Sequence, residues 1–199
     1  MRESLGEDAL QALFVFDRRA RDLFSPHRRH PAMKALDWCG DIGDQPQLRA
    51  ISIGLFALGV VRSDPRMMRA GVRMLASHEL ATFAKNRVKH QIDRHRPRST
   101  AGHRHKAEPR AGRRRSKEVT SFPSGHSAGA LAVACAFAAE YPEHRTAALA
   151  AAGAVGAAQV PTCAHYPSDV VAGWTIGAAA DSLVGLAWGQ AAQLLTRWR

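Results

Sequence analysis

The stretch "SFPSGHSAGA", residues Ser121–Ala130, decides how the rest of the chain is interpreted. Ser124 is a favourable N-cap residue, and Gly125 allows a ligand to approach the backbone closely. The free N–H groups at a helix start attract an anion, and His126 there can donate a proton near neutral pH. The stretch therefore predicts either a phosphate cradle with an acid beside it or a capped helix with an exposed histidine.

Length and composition predict one domain with a strongly basic surface. The chain has 199 residues, enough for one hydrophobic core and short for two. Its formal net charge of +11 attracts anions such as nucleic acid, acidic lipid or phosphorylated substrates. The three cysteines fit no disulfide framework, and residues 1–20 carry charges where a secretory signal needs an apolar run. We therefore expect internal helices to provide any contact with a membrane.

Hydrophobic periodicity predicts helices on both sides of a basic loop. Residues 7–24 have apolar positions at helical spacing, and residues 67–94 predict one long polar helix that ends before Pro97. Residues 98–120 are rich in Arg and Lys and predict a mobile loop. The remaining predicted helices are apolar segments over residues 50–61, 127–139, 146–160 and 170–195. These segments are either membrane-embedded helices or the buried core of a soluble all-helical protein, and we favour the membrane.

A second cluster, "KHQIDRHRP", lies over residues 89–97. Lys89 and Arg96 are seven residues apart, which on one helix would place both cations on the same face. An ammonium and a guanidinium together make a site for phosphate. The alternative is a solvated basic face paired with Asp93.

A third cluster, "HYPSDVVAG", lies over residues 165–173. His165 and Asp169 are four residues apart, so the carboxylate can hold the imidazole in one tautomer and leave its other nitrogen free to attack. The alternative is a purely structural pair. Cys163 is nearby, but no second Cys-His group has ligand spacing, and we expect no metal.

The three clusters in this order resemble the type 2 phosphatidic acid phosphatase family, which shares its core with vanadium-dependent haloperoxidases and bacterial nonspecific acid phosphatases. The family signature is Lys, six residues and Arg-Pro, then Pro-Ser-Gly-His, then Ser-Arg, five residues, His, three residues and Asp. The matching positions here are Lys89, Arg96 and Pro97, then Pro123, Ser124, Gly125 and His126, then His165 and Asp169. The resemblance implies an all-α helical bundle like the family core, with several membrane-embedded helices, over a single domain of residues 1–199.

The resemblance also implies a reaction that needs no metal or other cofactor. His165 would attack phosphorus and form a phosphohistidine, with Asp169 orienting it, and His126 would protonate the leaving group. A further set of groups would hold the phosphoryl oxygens: Lys89, Arg96, Ser124 and the amide of Gly125.

One position departs from the signature. Its Ser-Arg falls on Ala158 and Gln159, so a neutral amide stands where the family has a guanidinium. We still place Gln159 among the phosphate-binding residues, but the lost charge would cost about 2–4 kcal/mol of transition-state stabilisation. Another arginine, such as Arg87, Arg94 or one from the basic loop, could take its place.

The sequence thus predicts a phosphatase, integral to a cell (inner) membrane, that acts on a phosphorylated lipid such as phosphatidate or a polyprenyl diphosphate. Residues 98–117 would gather anionic headgroups beside the site, or serve only as a solvated linker or a positive-inside signal. One alternative keeps the fold and uses vanadate on His165 for haloperoxidase chemistry. Another is a basic binder of nucleic acid or acidic membranes without turnover. Because that alternative leaves the histidine spacing unexplained, we do not expect a nucleic-acid partner.

Overall fold

A computed structural model describes residues 2–100, 108–113, 116 and 118–197, and within these residues the chain is mostly helical. The helices are α1 (Arg2–Phe24), α2 (Pro31–Gly40), α3 (Gln45–Val61), α4 (Pro65–Lys89), α5 (Gly125–Glu140), α6 (Arg145–Ala158) and α7 (Pro167–Arg197). Two-residue strands, β1 (Ile92–Asp93) and β2 (Arg110–Ala111), form an antiparallel pair. The predicted all-α fold is confirmed.

The helix starts follow from local sequence. Proline begins α2, α4 and α7, where its missing N–H removes no helical hydrogen bond. Asp64 caps α4 by accepting hydrogen bonds from the amides of Arg66 and Met67, at 2.8 and 3.2 Å. Ser124 caps α5, as the sequence predicts, by accepting from the Ser127 amide at 3.3 Å. Each apolar segment predicted to be helical lies within or close to one of the observed helices.

Helix α5 lies at the centre of the bundle because its side chains are small. Ala132 packs with Ala81 of α4 and Ala180 of α7 in one buried cluster. A second cluster joins α5 to α6, and a third joins it to α3 and α4. Alanine allows neighbouring helices to approach on several sides at once, so α5 packs against α3, α4, α6 and α7.

Helices α5 and α7 are in close contact beside the first turn of α5. A Cβ on Gly173 would lie 2.5 Å from the Ser124 carbonyl oxygen and 2.9 Å from the Ser127 Cβ, so a side chain cannot fit there without movement. In the same region the Ser124 amide donates to the Asp169 carbonyl oxygen at 2.9 Å. This contact holds the start of α5 against the start of α7.

The connection from α4 to α5 corrects one sequence expectation. Helix α4 ends at Lys89, so Lys89 and Arg96 do not share a helix face. Arg96 has an extended backbone (φ −66°, ψ 148°), because the residue before a proline avoids the helical region. The amide of Arg96 instead donates to the Glu118 carbonyl at 2.9 Å, and that of Arg94 donates to the Val119 carbonyl at 2.8 Å. The two cations therefore come together through a turn.

Apolar side chains cover parts of the outer surface. Among the described residues, α7 contains one stretch that is long and apolar enough to cross a membrane, the 25 residues Pro167–Ala191. Helix α3 is apolar but shorter. Exposed large side chains on these two helices include Ile51, Ile53, Phe56, Leu58, Val60 and Val61 on α3, and Val171, Leu183 and Leu186 on α7.

Candidate active site

The structure brings the three sequence clusters together around the start of α5. Arg96, between α4 and α5, directs Nη1 to the Ala164 carbonyl oxygen at 3.5 Å, beside His165. The rings of His126 and His165 lie 6.3 Å apart between centroids, in an edge-on arrangement. The two imidazoles are therefore close neighbours, and the charges of Arg96 and Lys89 act on both of them.

His165 lies in the turn before α7 and is only 1% exposed. Its Nδ1 lies 3.7 Å from Asp169 Oδ2, beyond hydrogen-bond distance, and makes no hydrogen bond with the described residues. Burial lowers the pKa of His165 to about 4; Asp169 opposes this effect, whereas the charges of Arg96 and Lys89 add to it. His165 is therefore neutral at physiological pH, the state that a nucleophile needs.

Asp169 is held by a buried hydrogen-bond network. One of its oxygens accepts from Arg94 Nη1 at 2.5 Å, and the other accepts from the Ser121 hydroxyl at 2.6 Å and the Tyr166 amide at 2.9 Å. Arg94 also lies over the Tyr166 ring, with its Cζ 4.1 Å from the ring centroid. The carboxylate beside His165 therefore has a fixed orientation and a full set of donors.

Asp17 of α1 extends this network. Arg94 Nη2 donates to Asp17 Oδ2 at 2.6 Å, and Ser168 donates to Asp17 through its amide at 3.0 Å and its hydroxyl at 2.5 Å. The Arg94 and Asp17 side chains are each 1% exposed. Arg94 thus lies between two buried carboxylates, Asp17 and Asp169, and is not available to bind substrate in place of the missing motif arginine.

His126 occupies a more open environment. Its Nε2 lies 2.8 Å from Asp44 Oδ1, and the side chain of Asp44, just before α3, is 47% exposed. Burial lowers the pKa of His126, an effect that Asp44 opposes and Arg96 reinforces. Asp41, Asp44 and His126 also bring potential ligand atoms within 4.8 Å of one another. The pairing with Asp44 leaves Nδ1 of His126 as the nitrogen available for proton transfer.

Four of the expected phosphate-binding residues act on the histidines or form the start of α5. Arg96 is buried, Lys89 is half-buried, and both are close enough to affect the two histidines electrostatically. The Ser124 hydroxyl oxygen accepts from the Ser127 hydroxyl at 2.8 Å, so its own hydrogen remains to be donated. The first-turn amides of α5, beginning with Gly125, have no acceptor within the helix.

Gln159 lies at the end of α6 and is 2% exposed. Its amide nitrogen donates to the Val155 carbonyl oxygen in the preceding turn at 3.4 Å, and it would lie 2.8 Å from a Cβ on Gly40 of α2. The Gln159 carbonyl accepts hydrogen bonds from the amides of Ala164 and His165, both at 3.1 Å. Its backbone therefore shapes the turn that carries His165.

Sequence reasoning missed several residues that the site uses. Asp17, Ser121, Ser168 and Asp44 hold the two histidines and their partners, yet each belongs to a residue type that is common on protein surfaces. Asp17 is 151 residues from Ser168 in the chain. The available signal was that Ser121 and Ser168 lie within the quoted motif stretches. Asp17, on the distant helix α1, had no sequence feature that linked it to the site.

Comparison with known proteins identifies the class. The family model of the PAP2 superfamily matches residues 70–192, which is more than half of the 199-residue chain. The chain therefore belongs to the PAP2 superfamily, and the family resemblance seen in the sequence is confirmed.

The individual relatives cover less of the chain. The Lipid A 1-phosphatase of Rhizobium johnstonii is 50% identical over 58 residues, which is 29% of this chain and 24% of that protein. The Lipid A 1-phosphatase of Rhizobium etli is 49% identical over 57 residues, 29% of this chain and 25% of that protein. The chain thus spans about a quarter of the length of these curated relatives.

A solved structure extends the likeness to the fold. The crystal structure of Aquifex aeolicus LpxE is similar with a TM-score of 0.60 and 20% sequence identity, over 82% of this chain and 91% of that chain. At this identity the match concerns the arrangement of the helices.

Proposed function

We propose that this protein is a metal-independent phosphatase that removes a phosphate group from a phosphorylated lipid through a phosphohistidine intermediate. The observation that carries the proposal is the meeting of His126 and His165, with ring centroids 6.3 Å apart, beside Arg96 at the start of α5. A neutral buried imidazole, a second imidazole and fixed cations are the groups that phosphoryl transfer needs when no metal takes part.

In the first step, Nε2 of His165 attacks phosphorus and the bond from phosphorus to the ester oxygen breaks. His126 donates the proton that the leaving alkoxide requires. Asp169 stabilises the charge that develops on the His165 ring. Lys89 and Arg96, together with the first amides of α5, stabilise the charge on the phosphoryl oxygens.

In the second step, His126 is neutral and accepts a proton from water. The water oxygen attacks phosphorus, the bond between phosphorus and His165 breaks, and inorganic phosphate leaves. At the end of this step His126 is protonated again and His165 is again a neutral imidazole, as before the first step. The same residue serves as acid and then as base, which requires a ring with access to solvent; the 20% exposed His126 side chain meets this need better than His165 does.

A lipid substrate is supported by the apolar surface and by the position of the site. Asp169 lies in the first turn of α7 and His165 in the turn before it, and the first 25 residues of α7 are apolar enough to cross a membrane. A helix inserted in this way would place the site at the membrane surface, where a phosphorylated headgroup lies. We therefore propose association with a membrane, and the inner membrane remains our prediction.

The substrate panel follows from the sequence and the relatives. Phosphatidate and a polyprenyl diphosphate come from the sequence-based prediction, and the name of the Rhizobium relatives adds lipid A 1-phosphate. Binding of anionic headgroups by residues 98–117 stays a prediction, because residues 101–107, 114, 115 and 117 lie outside the described part of the chain.

The test is phosphate release by detergent-extracted protein from each of these three lipids. We expect one of them to be hydrolysed, and we expect His165→Ala and His126→Ala to lose at least about a hundredfold in rate. The phosphorus–nitrogen bond of a phosphohistidine is stable in alkali and is hydrolysed in acid. A phosphohistidine trapped from labelled substrate should therefore survive alkali and decompose in acid. Equal inactivity of wild type and both variants would contradict the proposal.

Metal independence has its own test. Chelation with EDTA should leave the rate of the wild type unchanged. If EDTA abolishes activity, the metal-independent mechanism is wrong, and the Asp41, Asp44 and His126 group is the first place to look for the ion.

A further inference from the structure

Lys85 lies at the candidate phosphate cradle although the family signature does not include it. It is on α4, one turn before Lys89, so the two lysines are neighbours on one helix face. A Cβ on Gly125 would lie 3.3 Å from Lys85 Cδ and 3.4 Å from Nζ. The ammonium group of Lys85 therefore rests against the first residue of α5, where the first amides have no acceptor within the helix.

Lys85 is 5% exposed, and it makes no hydrogen bond or ion pair with the residues that the structure describes. Burial lowers its pKa, as does the charge of Arg49, whereas Asp44 acts in the opposite direction. A buried ammonium without a hydrogen-bonded ion-pair partner is unfavourable, and an arriving phosphate dianion would supply that partner.

Two other candidates among the described residues, Arg94 and Arg87, do not lie in the cradle in this way. Arg94 is between Asp17 and Asp169 in the buried network. Arg87 is exposed on α4, with its guanidinium 4.9 Å from the centroid of the Phe83 ring. Gln159, at the signature's arginine position, donates its amide to Val155 of its own helix.

We propose that Lys85 is a phosphate-binding residue that supplies the side-chain cation missing from the third motif, in place of the arginine that Gln159 replaces. The proposal rests on the proposed phosphatase function. Lys89, Arg96 and Lys85 together restore three cationic side chains around the phosphoryl group. The third cation arrives from α4, whereas the signature places it at the end of α6.

The first experiment compares wild type with Lys85→Met and Lys85→Arg, and uses Arg87→Met as the matched control on the same helix. Lys85→Met should lower kcat/KM about a hundredfold, as the loss of other charge-stabilising donors does. Lys85→Arg keeps a cation and should retain more activity, and Arg87→Met should match wild type. The Tm of Lys85→Met without ligand should not fall, because methionine keeps the apolar stem and removes an unpaired buried charge.

A binding measurement separates this proposal from the proposed function. Inorganic phosphate, titrated into detergent-solubilised protein in a calorimeter, should bind wild type at least about tenfold more tightly than Lys85→Met. If wild type hydrolyses no lipid but shows this difference, Lys85 binds phosphate and the phosphatase function fails. If wild type is active, His165→Ala is inactive, and Lys85→Met equals wild type in both assays, the Lys85 proposal is overturned alone. Absence of both phosphate binding and hydrolysis overturns both.

The second experiment places Gln159→Arg in wild type and in Lys85→Met. If Lys85 already fills the role of the motif arginine, the new arginine should raise the rate of Lys85→Met and add little to wild type. Equal gains in both backgrounds would show that the two positions act independently, and the Lys85 proposal would then be wrong.

Discussion

The two histidines of the site have opposite surroundings. His165 lies beside a carboxylate that is buried and receives hydrogen bonds from Arg94, Ser121 and the Tyr166 amide. His126 is paired with Asp44, which is half-exposed and lies just before α3. The nucleophile that we propose at His165 needs a fixed direction and a neutral ring, which burial provides. The acid that we propose at His126 must exchange protons with water in each cycle, which requires an opening. The different surroundings therefore suit the two proposed roles.

The largest effect is expected at the centre of the buried network. Arg94→Met leaves the carboxylates of Asp17 and Asp169 buried without their shared cation. Breaking a buried pair in this way costs about 3–5 kcal/mol. We expect a lower unfolding midpoint in urea and loss of phosphate release, since Asp169 would no longer be held beside His165. If Arg94→Met unfolds at the same urea concentration as wild type, the buried network does not contribute to the free energy of unfolding in this way.

A smaller loss is expected one step further from the nucleophile. Asp17→Asn keeps the size of the side chain but removes the negative charge of the group that accepts hydrogen bonds from Arg94 and Ser168. Hydrogen bonds to charged groups contribute about 1.5–3 kcal/mol, so thermal unfolding should move to lower temperature by a corresponding amount. Because Asp17 acts through Arg94, kcat should fall while KM stays near the wild-type value. A change in KM alone would contradict this positioning role.

The acid side should respond differently to the same kind of change. Asp44→Asn removes a half-exposed carboxylate, and exposed ion pairs contribute less than about 1 kcal/mol to stability. Stability should therefore stay close to wild type, while the rate falls by up to about tenfold because His126 loses the negative charge that favours its protonated, proton-donating form. If Asp44→Asn destabilises the fold as much as Asp17→Asn does, the contrast between the two sides of the site is wrong.

The smallest effect is a shift in pH dependence. The pKa of His165 is lowered to about 4 by burial, so kcat/KM should fall below that pH as the nucleophile becomes protonated. His126 must be protonated to act as the acid, and burial lowers its pKa, so activity should also fall at higher pH. The profile should be bell-shaped on the acidic side of neutrality. In Asp44→Asn the alkaline limb should move to lower pH, by less than about one unit.

The sequence predicted the helices because alanine-rich and apolar runs, proline starts and the Ser124 cap are local signals. It also identified the motif residues, because their spacing resembles a known signature. It was wrong about Lys89 and Arg96 sharing one helix, since Pro97 forces the preceding residue into an extended conformation. Local sequence rules predict the conformation of each segment well, but they do not predict which side chains from distant segments contact one another.

Asp17 and Lys85 are two site residues that the sequence could not identify, each for a different reason. Asp17 joins the site through contacts with Arg94 and Ser168, which are 77 and 151 residues away in the chain. No spacing rule connects such positions. Lys85 lies four residues before a motif lysine in a basic helix, where an additional lysine is most simply interpreted as solvated. Only the close packing of α4 on Gly125 distinguishes it.

The contact at Gly173 has a practical use. The backbone of α7 touches the carbonyl of Ser124 there, with no side chain between the two helices. A larger side chain at residue 173 would push the start of α5 further from the start of α7, and so would move the phosphate cradle away from His165. Measuring turnover in Gly173→Ala and Gly173→Val would therefore show how much separation of the two helix starts the reaction tolerates.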